Sequence, residues 1–216
     1  MKRTISAVLM LFMLLTLAAC GGGDNSQPTT TTQTLSNPTF DGDIERTPTA
    51  DIITQGMSFP TIQSVFAGID PVTLTETRAF LNFPLTGVVP ANAVIVSATL
   101  DIFIRSIQPT TGSVPILIDL VDFQPPTLVA SDFDRNLLPP LDSISTTIFQ
   151  SDLGQHVIID VTQLMREAQL RAQPDFQIRI LEDLGIVSPG IIEIDDTTAS
   201  TVDRESFAPL LTVTWF

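Results

Sequence analysis

Residues 94–107 read VIVSATLDIFIRSI, and this stretch decides the fold. Its side chains alternate, so that one face of an extended chain carries Ala98, Leu100, Ile102 and Ile104, and the other carries Thr99, Asp101, Phe103 and Arg105. Residues 176–180 repeat the pattern, with Phe176, Ile178 and Ile180 opposite Gln177 and Arg179. A period of two is typical of strands with one face in a core and the other in water. We therefore expect both outer faces to be wet.

Short β-branched runs of this kind, separated by Pro, Gly, Asp and Asn, continue along the chain from Phe40. They predict strands at residues 40–46, 51–55, 61–67, 78–84, 94–107, 116–122, 145–150, 155–160, 176–182, 191–195 and 209–216. The predicted fold is all-β, a two-sheet antiparallel jelly-roll-like sandwich formed by residues 39–216 as one domain.

One short helix interrupts the strands, at residues 161–172. Asp160 is its expected N-cap, and Gln163 three residues later resembles the second half of a capping box. Its apolar stripe consists of Val161, Leu164, Met165 and Ala168, and Pro174 ends it. We expect this helix to pack across one opening of the sandwich.

The amino terminus has the pattern of a bacterial lipoprotein signal. Lys2 and Arg3 precede an apolar run from Ile5 to Leu17, and Ala18 and Ala19 lead to Cys20. The run is shorter than the roughly 20 residues of a membrane-spanning helix. We expect residues 1–19 to be a signal peptide and Cys20 to be lipidated, since two or three acyl chains anchor a protein stably.

Residues 20–38 follow as a lipidated cysteine and a flexible tether rich in Gly, Thr, Gln and Pro. Gly21 stands where aspartate would favour retention at the inner membrane. The expected location is therefore the cell envelope, at the outer membrane of a Gram-negative cell, with the membrane as a partner through the lipid anchor.

The charge balance excludes some partners. The whole chain has a net charge of −14, and removal of residues 1–19 would leave no lysine at all. Nucleic acid is not expected to bind, because its phosphates must be neutralised by cations. Tyr is absent and Trp occurs once, so the usual aromatic platform for sugars is not expected either.

Three segments together resemble the DNRLRE-domain family, secreted β-sandwich modules grouped with carbohydrate-binding modules. They are residues 76–100, which contain ETRAFLNF and VVPANAVIVSATL, residues 157–164, which read VIIDVTQL, and residues 204–214, which contain RES and APLLTVT. The resemblance covers most of residues 76–216 and implies a sandwich that binds rather than cleaves. Residues 123–150 lack the tryptophans that the family often carries in this region.

The few arginines are the candidate ligand-binding residues, and Arg78, Arg105 and Arg179 lead among them. A glycan would be held by their hydrogen bonds, and alanine at each position should then leave the melting temperature nearly unchanged. The competing interpretation, which we favour, pairs each arginine with a nearby acid.

Calcium is the candidate cofactor, because carboxylate oxygens are the ligands that it prefers. The candidate ligands come in three sequence pairs: Asp41 and Asp43, Asp132 and Asp134, and Asp195 and Asp196. None has the spacing of an EF-hand, and acidic turns are more commonly solvated than metal-bound.

We therefore expect a non-catalytic binding or scaffolding module that contacts a glycan or an envelope protein. The alternative is a small hydrolase or lyase that acts on a polysaccharide through paired carboxylates or His156. His156 is the only histidine, and no nucleophile motif accompanies it. No catalytic residue is assigned.

Overall fold

A computed structural model describes residues 27–56, 63–109, 112–123, 127–183 and 189–216. The predicted signal peptide and Cys20 lie outside the described residues. The strands and helices are β1 (Thr30–Leu35), β2 (Gly42–Arg46), β3 (Asp51–Gln55), β4 (Ser64–Ile69), β5 (Glu76–Pro84), β6 (Ile95–Gln108), β7 (Ser113–Val121), β8 (Asp142–Phe149), β9 (His156–Asp160), α1 (Thr162–Leu170), β10 (Asp175–Glu182), β11 (Ile191–Asp195), α2 (Thr201–Phe207) and β12 (Leu210–Trp215).

The strands form one antiparallel sheet that curls until its two halves face each other as layers. The first layer contains β9, β6, β12, β1, β11 and β4, and the second contains β3, β2, β5, β10, β7 and β8. The layers are joined where β4 meets β5, over only two residue pairs, Gly68 with Thr77 and Ile69 with Glu76. The all-β sandwich is confirmed, and each of the eleven predicted strands has its counterpart.

The core lies between the layers and contains the side chains that the alternation predicts to point inward. The four apolar side chains of β6, from Ala98 to Ile104, are at most 1% exposed. Phe176, Ile178 and Ile180 of β10 are fully buried in the same cluster. The inward faces of both strands are therefore as predicted.

Helix α1 packs across an opening of the sandwich, as expected. It contacts strands of both layers, and Leu164, Met165 and Ala168 are fully buried. The N-cap is Val161 rather than the predicted Asp160, and Gln163 bonds Asp142 instead of closing a capping box. Asp160 Oδ1 still accepts a hydrogen bond from the backbone N–H of Thr162 at 2.9 Å, which satisfies one of the free donors of the first turn. Beyond its last turn, Ala172 has a φ of 54°, a conformation that cannot continue the helix.

Two expectations need correction. The predicted tether is folded from Thr30 onward, because β1 pairs with β12 from Thr30↔Trp215 to Leu35↔Leu210. There is also a second helix, α2, whose N-cap Ser200 accepts a hydrogen bond from the N–H of Asp203 at 3.1 Å. An edge strand and a surface helix with one packed face need few apolar residues. Their mostly polar sequences therefore lack the apolar periodicity by which strands and helices are predicted.

A covering segment, formed by Phe123 and residues 127–141, lies over the outer face of the second layer. Phe123, Leu128 and Phe133 are at most 4% exposed and pack with Ile44, Phe80 and Val121 in a second hydrophobic cluster. The 3-10 turn Ala130–Phe133 lies within this segment. The second layer is therefore covered on both faces.

Candidate functional site

A groove of about 980 Å³ follows the open side of the sandwich beside α1. One wall contains β8, which pairs only with β7, and the other contains β9, which pairs only with β6. Within the described part of the chain, each of these strands thus has one edge without a neighbouring strand. Such edges carry free backbone N–H and C=O groups.

The side chains of the groove are mostly polar, and three of its hydroxyl groups have no partner among the described residues. Ser97 and Ser145 are exposed, and neither their hydroxyls nor that of Thr146 bond another described protein group. Ile158 and Leu170 add exposed apolar surface, at 69% and 81% exposure. The groove can therefore exchange hydrogen bonds and also cover apolar ligand faces.

Hydrogen bonds between α1 and the neighbouring strands hold two charged side chains of the groove. Gln163 donates to both oxygens of Asp142 at 3.0 and 2.8 Å. Arg166 donates to the carbonyl oxygens of Ile95 and Val96 at 3.1 and 2.9 Å. These bonds fix the positions of a carboxylate and a guanidinium in advance of any ligand.

The carboxyl group of Asp160, which lines the groove, favours its ionised form. Hydrogen bonds from the side chain and backbone of Thr162 lower the pKa of Asp160. A glycosidase needs one carboxyl that stays protonated near neutral pH, and a lowered pKa is the opposite of that requirement. Asp160 therefore suits an acceptor of ligand hydroxyls better than a general acid.

Two of the three predicted ligand-binding arginines are buried, contrary to expectation. Arg179 is fully buried, and its Nε and Nη2 donate to Asp119 Oδ2 at 3.2 and 2.7 Å. Its Nη1 donates to the carbonyl oxygen of Asp132 at 2.7 Å. Arg78 is 6% exposed, donates to Glu76 Oε1 at 2.6 Å and to the carbonyl oxygen of Phe133, and lies over the Phe133 ring. The prediction of a wet face failed because the covering segment lies on it.

Sequence reasoning missed the acid at the centre of this cluster. Asp119 is fully buried and accepts hydrogen bonds from Arg179, from Arg135 at 3.0 and 3.1 Å, and from Ser143 Oγ at 2.7 Å. Burial lowers the pKa of Arg179, whereas its hydrogen bonds with Asp119 raise it. The position of Asp119, between Ile118 and Leu120, was the available signal, because an acid inside a buried strand requires a partner.

Arg105 remains apart, on the outer face of the first layer. Its side chain is 39% exposed, and its Nε lies 3.4 Å from Asp195 Oδ2 and 3.9 Å from Glu193 Oε1. All three predicted arginines are therefore paired with acids. No common ligand site forms from them.

The fold brings Asp41 close to Asp196 rather than to its sequence neighbour Asp43. Asp41 and Asp196 are both fully buried, and each has one oxygen, Oδ2, without a hydrogen-bond partner. Asp196 Oδ1 accepts from Ser36 Oγ at 3.3 Å and from Arg204 Nη1 at 3.4 Å. Burial, followed by the charge of Asp196, raises the pKa of Asp41 well above its ordinary value. Burial also raises the pKa of Asp196, to about 7, against the effect of Arg204.

Three more of the predicted metal ligands accept hydrogen bonds from backbone N–H groups. Asp132 Oδ2 accepts from the N–H of Val129, and Asp134 Oδ1 from that of Asn136. Asp195 Oδ1 accepts from the N–H of Thr197. Across the described ranges, no three or more His, Cys, Asp or Glu side chains are grouped so that they could hold a metal ion.

Asp43 lines a separate cleft of about 470 Å³ beside β2 and β4, together with Glu45, Asp70 and Phe66. It is 6% exposed, and its Oδ2 accepts from the N–H of Phe66 at 3.1 Å. Burial raises its pKa to about 7, a hydrogen bond from Phe66 lowers it, and the charge of Glu45 raises it.

His156 forms a pair with Asp101 on the outer face of the first layer, with Nδ1 2.9 Å from Oδ1. Its ring also meets the edge of Phe103, with centroids 5.2 Å apart. The pair resembles two members of a catalytic triad, but among the described contacts of His156 there is no serine or threonine hydroxyl.

No known family model matches this chain, and no curated protein matches it. Within the residues that the structure describes, no helix has the length and apolar character required to cross a membrane.

Proposed function

We propose that the protein is a lipid-anchored module of the cell envelope that binds a glycan chain without cleaving it. The observation that carries this proposal is the groove between β8 and β9, with its uncommitted hydroxyls and two unpaired strand edges. The residues that resemble the DNRLRE-domain family support a carbohydrate-binding role. The signal-like segment that ends at Cys20 supports attachment at the outer membrane.

The chemistry of the groove favours a neutral glycan. Sugar hydroxyls both donate and accept, and they match the Ser97, Ser145 and Thr146 hydroxyls and the carboxylates of Asp142 and Asp160. A polyanionic chain would meet those carboxylates and the negative charge of the whole protein. Since such hydrogen bonds replace bonds to water, the net gain of each is about 1 kcal/mol, and affinity should be weak.

The contacts within the groove also support the proposal of binding without hydrolysis. The alternative, a carboxylate-dependent hydrolase or lyase, needs a protonated carboxyl that faces the ligand. In the groove, Asp142 is engaged with Gln163, and the pKa of Asp160 is lowered. These contacts support a binding surface rather than a catalytic one.

The test is glycan binding by the chain that begins at Gly21, measured by calorimetry against neutral polysaccharides identified on a glycan array. Ser145→Trp should obstruct the groove and abolish binding. Ser131→Trp is the matched control, because Ser131 is also an exposed serine but lies on the covering segment. Equal affinities of the two variants would contradict a glycan site in this groove, and release of reducing ends would contradict the non-catalytic role.

Attachment is tested separately on the full chain. Cys20→Ala should prevent acylation, so that the protein no longer partitions into detergent with the membrane fraction. Unchanged partitioning would contradict the anchor and leave the glycan test unaffected.

A further inference from the structure

We infer that a cleft beside Trp215 binds a neutral ring compound that carries a primary amide, independently of the glycan groove. The cleft has a volume of about 530 Å³ and lies between the end of α1 and the loop that follows β5. None of the described residues that line it also lines the groove between β8 and β9. The two sites can therefore be tested separately.

The wall of this cleft is mostly apolar and uncharged. Val88, Val89 and Pro90 come from the loop after β5, Pro174 follows α1, and Trp215 ends β12. No acidic or basic side chain is among the described residues that line it, although the whole chain contains 24 acids. Small-molecule pockets are typically apolar, with a few placed polar groups and volumes of about 300–1,000 Å³. An uncharged wall in so acidic a protein favours a neutral ligand.

Two side chains that line the cleft have a buried polar atom without a hydrogen-bond partner among the described residues. They are Trp215, whose Nε1 can only donate, and Gln173, whose Oε1 can only accept. Gln173 Nε2 donates to the carbonyl oxygen of Val121 at 3.3 Å, and this contact determines which end of its amide is unpaired. Buried polar groups normally have partners, and an unpaired one is costly. A ligand group that both donates and accepts would satisfy both atoms.

A third polar group indicates which ligand group this is. Gln169 Nε2 donates to the carbonyl oxygens of Pro90 and Ala91 at 2.9 and 2.8 Å, so its Oε1 is left as an acceptor that lines the cleft. The cleft thus offers two acceptors, on Gln169 and Gln173, and one donor, on Trp215. A primary amide has two N–H groups and one carbonyl oxygen, which is the complementary set, whereas an alcohol has a single O–H to donate.

Trp215 also provides an apolar surface for the ring of the ligand. It follows Leu211 and Val213 on the same side of β12, but these two are at most 1% exposed and Trp215 is half-buried. The pairing of β12 with β6 shifts by one residue between Thr214 and Trp215. Such irregularities are common beside binding sites because they redirect side chains. A saturated ring can therefore pack on the exposed part of the indole.

The experiment is a fluorescence titration of the chain that begins at Gly21 with cyclohexanecarboxamide. Trp215 is the only tryptophan and the chain has no tyrosine, so tryptophan emission reports on this cleft. The change in emission should be saturable. Cyclohexyl methyl ketone has nearly the same shape but no N–H, and it should bind about tenfold more weakly. Cyclohexanecarboxylate, which is negatively charged and cannot donate, should not bind.

Gln173→Leu tests the contact directly, because it removes one acceptor and adds no charge. It should abolish most of the preference for the amide over the ketone. Gln155→Leu is the matched control, since Gln155 is an exposed glutamine away from both sites, and it should keep the tenfold preference. A melting curve shows whether each variant is folded.

Three results would overturn the proposal. The first is the absence of a saturable change with the amide. The second is equal affinity for the amide and the ketone on the unaltered chain, which would mean general attraction to apolar surface and needs no variant to fold. The third is an unchanged preference for the amide in folded Gln173→Leu.

Discussion

Strands β6 and β10 have the same alternation in sequence but different surroundings. The outward side chains of β6, from Thr99 to Arg105, are half-buried or exposed. Those of β10, Gln177 and Arg179, are 1% and 0% exposed. The covering segment lies on β10. On the outer face of β6, among the described residues, Phe103 meets the rings of Phe207 of α2 and His156 of β9, with centroids 4.9 and 5.2 Å away. Alternation thus shows which side chains share a face, but not what lies on that face.

Burial of a polar face is stable only when each polar group has a partner. Gln177 accepts a hydrogen bond from the N–H of Phe123 at 3.0 Å and donates to its carbonyl oxygen. Arg179 forms its ion pair with Asp119 and also binds the backbone of the covering segment. The polar residues of β10 therefore attach the covering segment to the layer beneath.

The largest expected effect is that of Arg179→Ala. It would leave Asp119 buried with less compensating charge and would free the carbonyl oxygen of Asp132. Loss of one partner of a buried pair costs about 3–5 kcal/mol, so the free energy of unfolding should fall by that amount. Urea unfolding followed by circular dichroism measures it. A loss below about 1 kcal/mol would show that the outer face of β10 is wet in solution.

The sequence was sufficient for the layers but not for what covers them. The inward residues of β6 and β10 and the stripe of α1 follow from periodicity, which is a local property. Contact between the covering segment and Arg179 is not local. Residues 123–141 contain eight apolar side chains, but these have no regular period that would show which face they cover. The capping pair Ser200 and Asp203 was the local sequence signal for α2.

The candidate sites likewise depend on contacts between residues that are distant in sequence. The sequence pairs Asp41 with Asp43 and Asp195 with Asp196, but the fold brings Asp41 to Asp196 and leaves Asp43 in a cleft of its own. Asp195 and Asp196 are adjacent in an extended chain and point to opposite faces, and Asp41 precedes the first residue of β2, so proximity in sequence does not imply a shared site. The groove between β8 and β9 depends on strand order, which the sequence does not reveal.

An intermediate effect is expected at Asp196, an acid predicted to be solvated and found buried. Its pKa is about 7 in the folded protein, so the folded state keeps a proton that the unfolded chain loses above about pH 4. Stability should therefore fall as pH rises from 4 to 7, by up to about 1.4 kcal/mol per pH unit for each proton retained. The raised pKa of Asp41 acts in the same direction.

Asp196→Asn should flatten this dependence, because asparagine does not titrate and can still accept from Arg204. Urea unfolding at four pH values between 4.5 and 7.5 gives the slope, with Glu205→Gln as an exposed control. If Asp196→Asn has the same slope as the wild type, Asp196 is solvated, and the comparison between covered and open charges fails at this site.

The smallest expected effect is that of Arg105→Ala, the counterpart of Arg179→Ala on the uncovered face. Arg105 is partly exposed and reaches its acids at 3.4 and 3.9 Å, so the pair should contribute no more than about 1 kcal/mol. Salt should weaken even this, because at about 1 M the screening length is about 3 Å. Unfolding in low and high salt, beside Arg179→Ala, separates the two cases, since a buried pair is screened much less. If Arg105→Ala destabilises the protein as much as Arg179→Ala does, the outer face of β6 is covered in solution, and the difference between the two faces disappears.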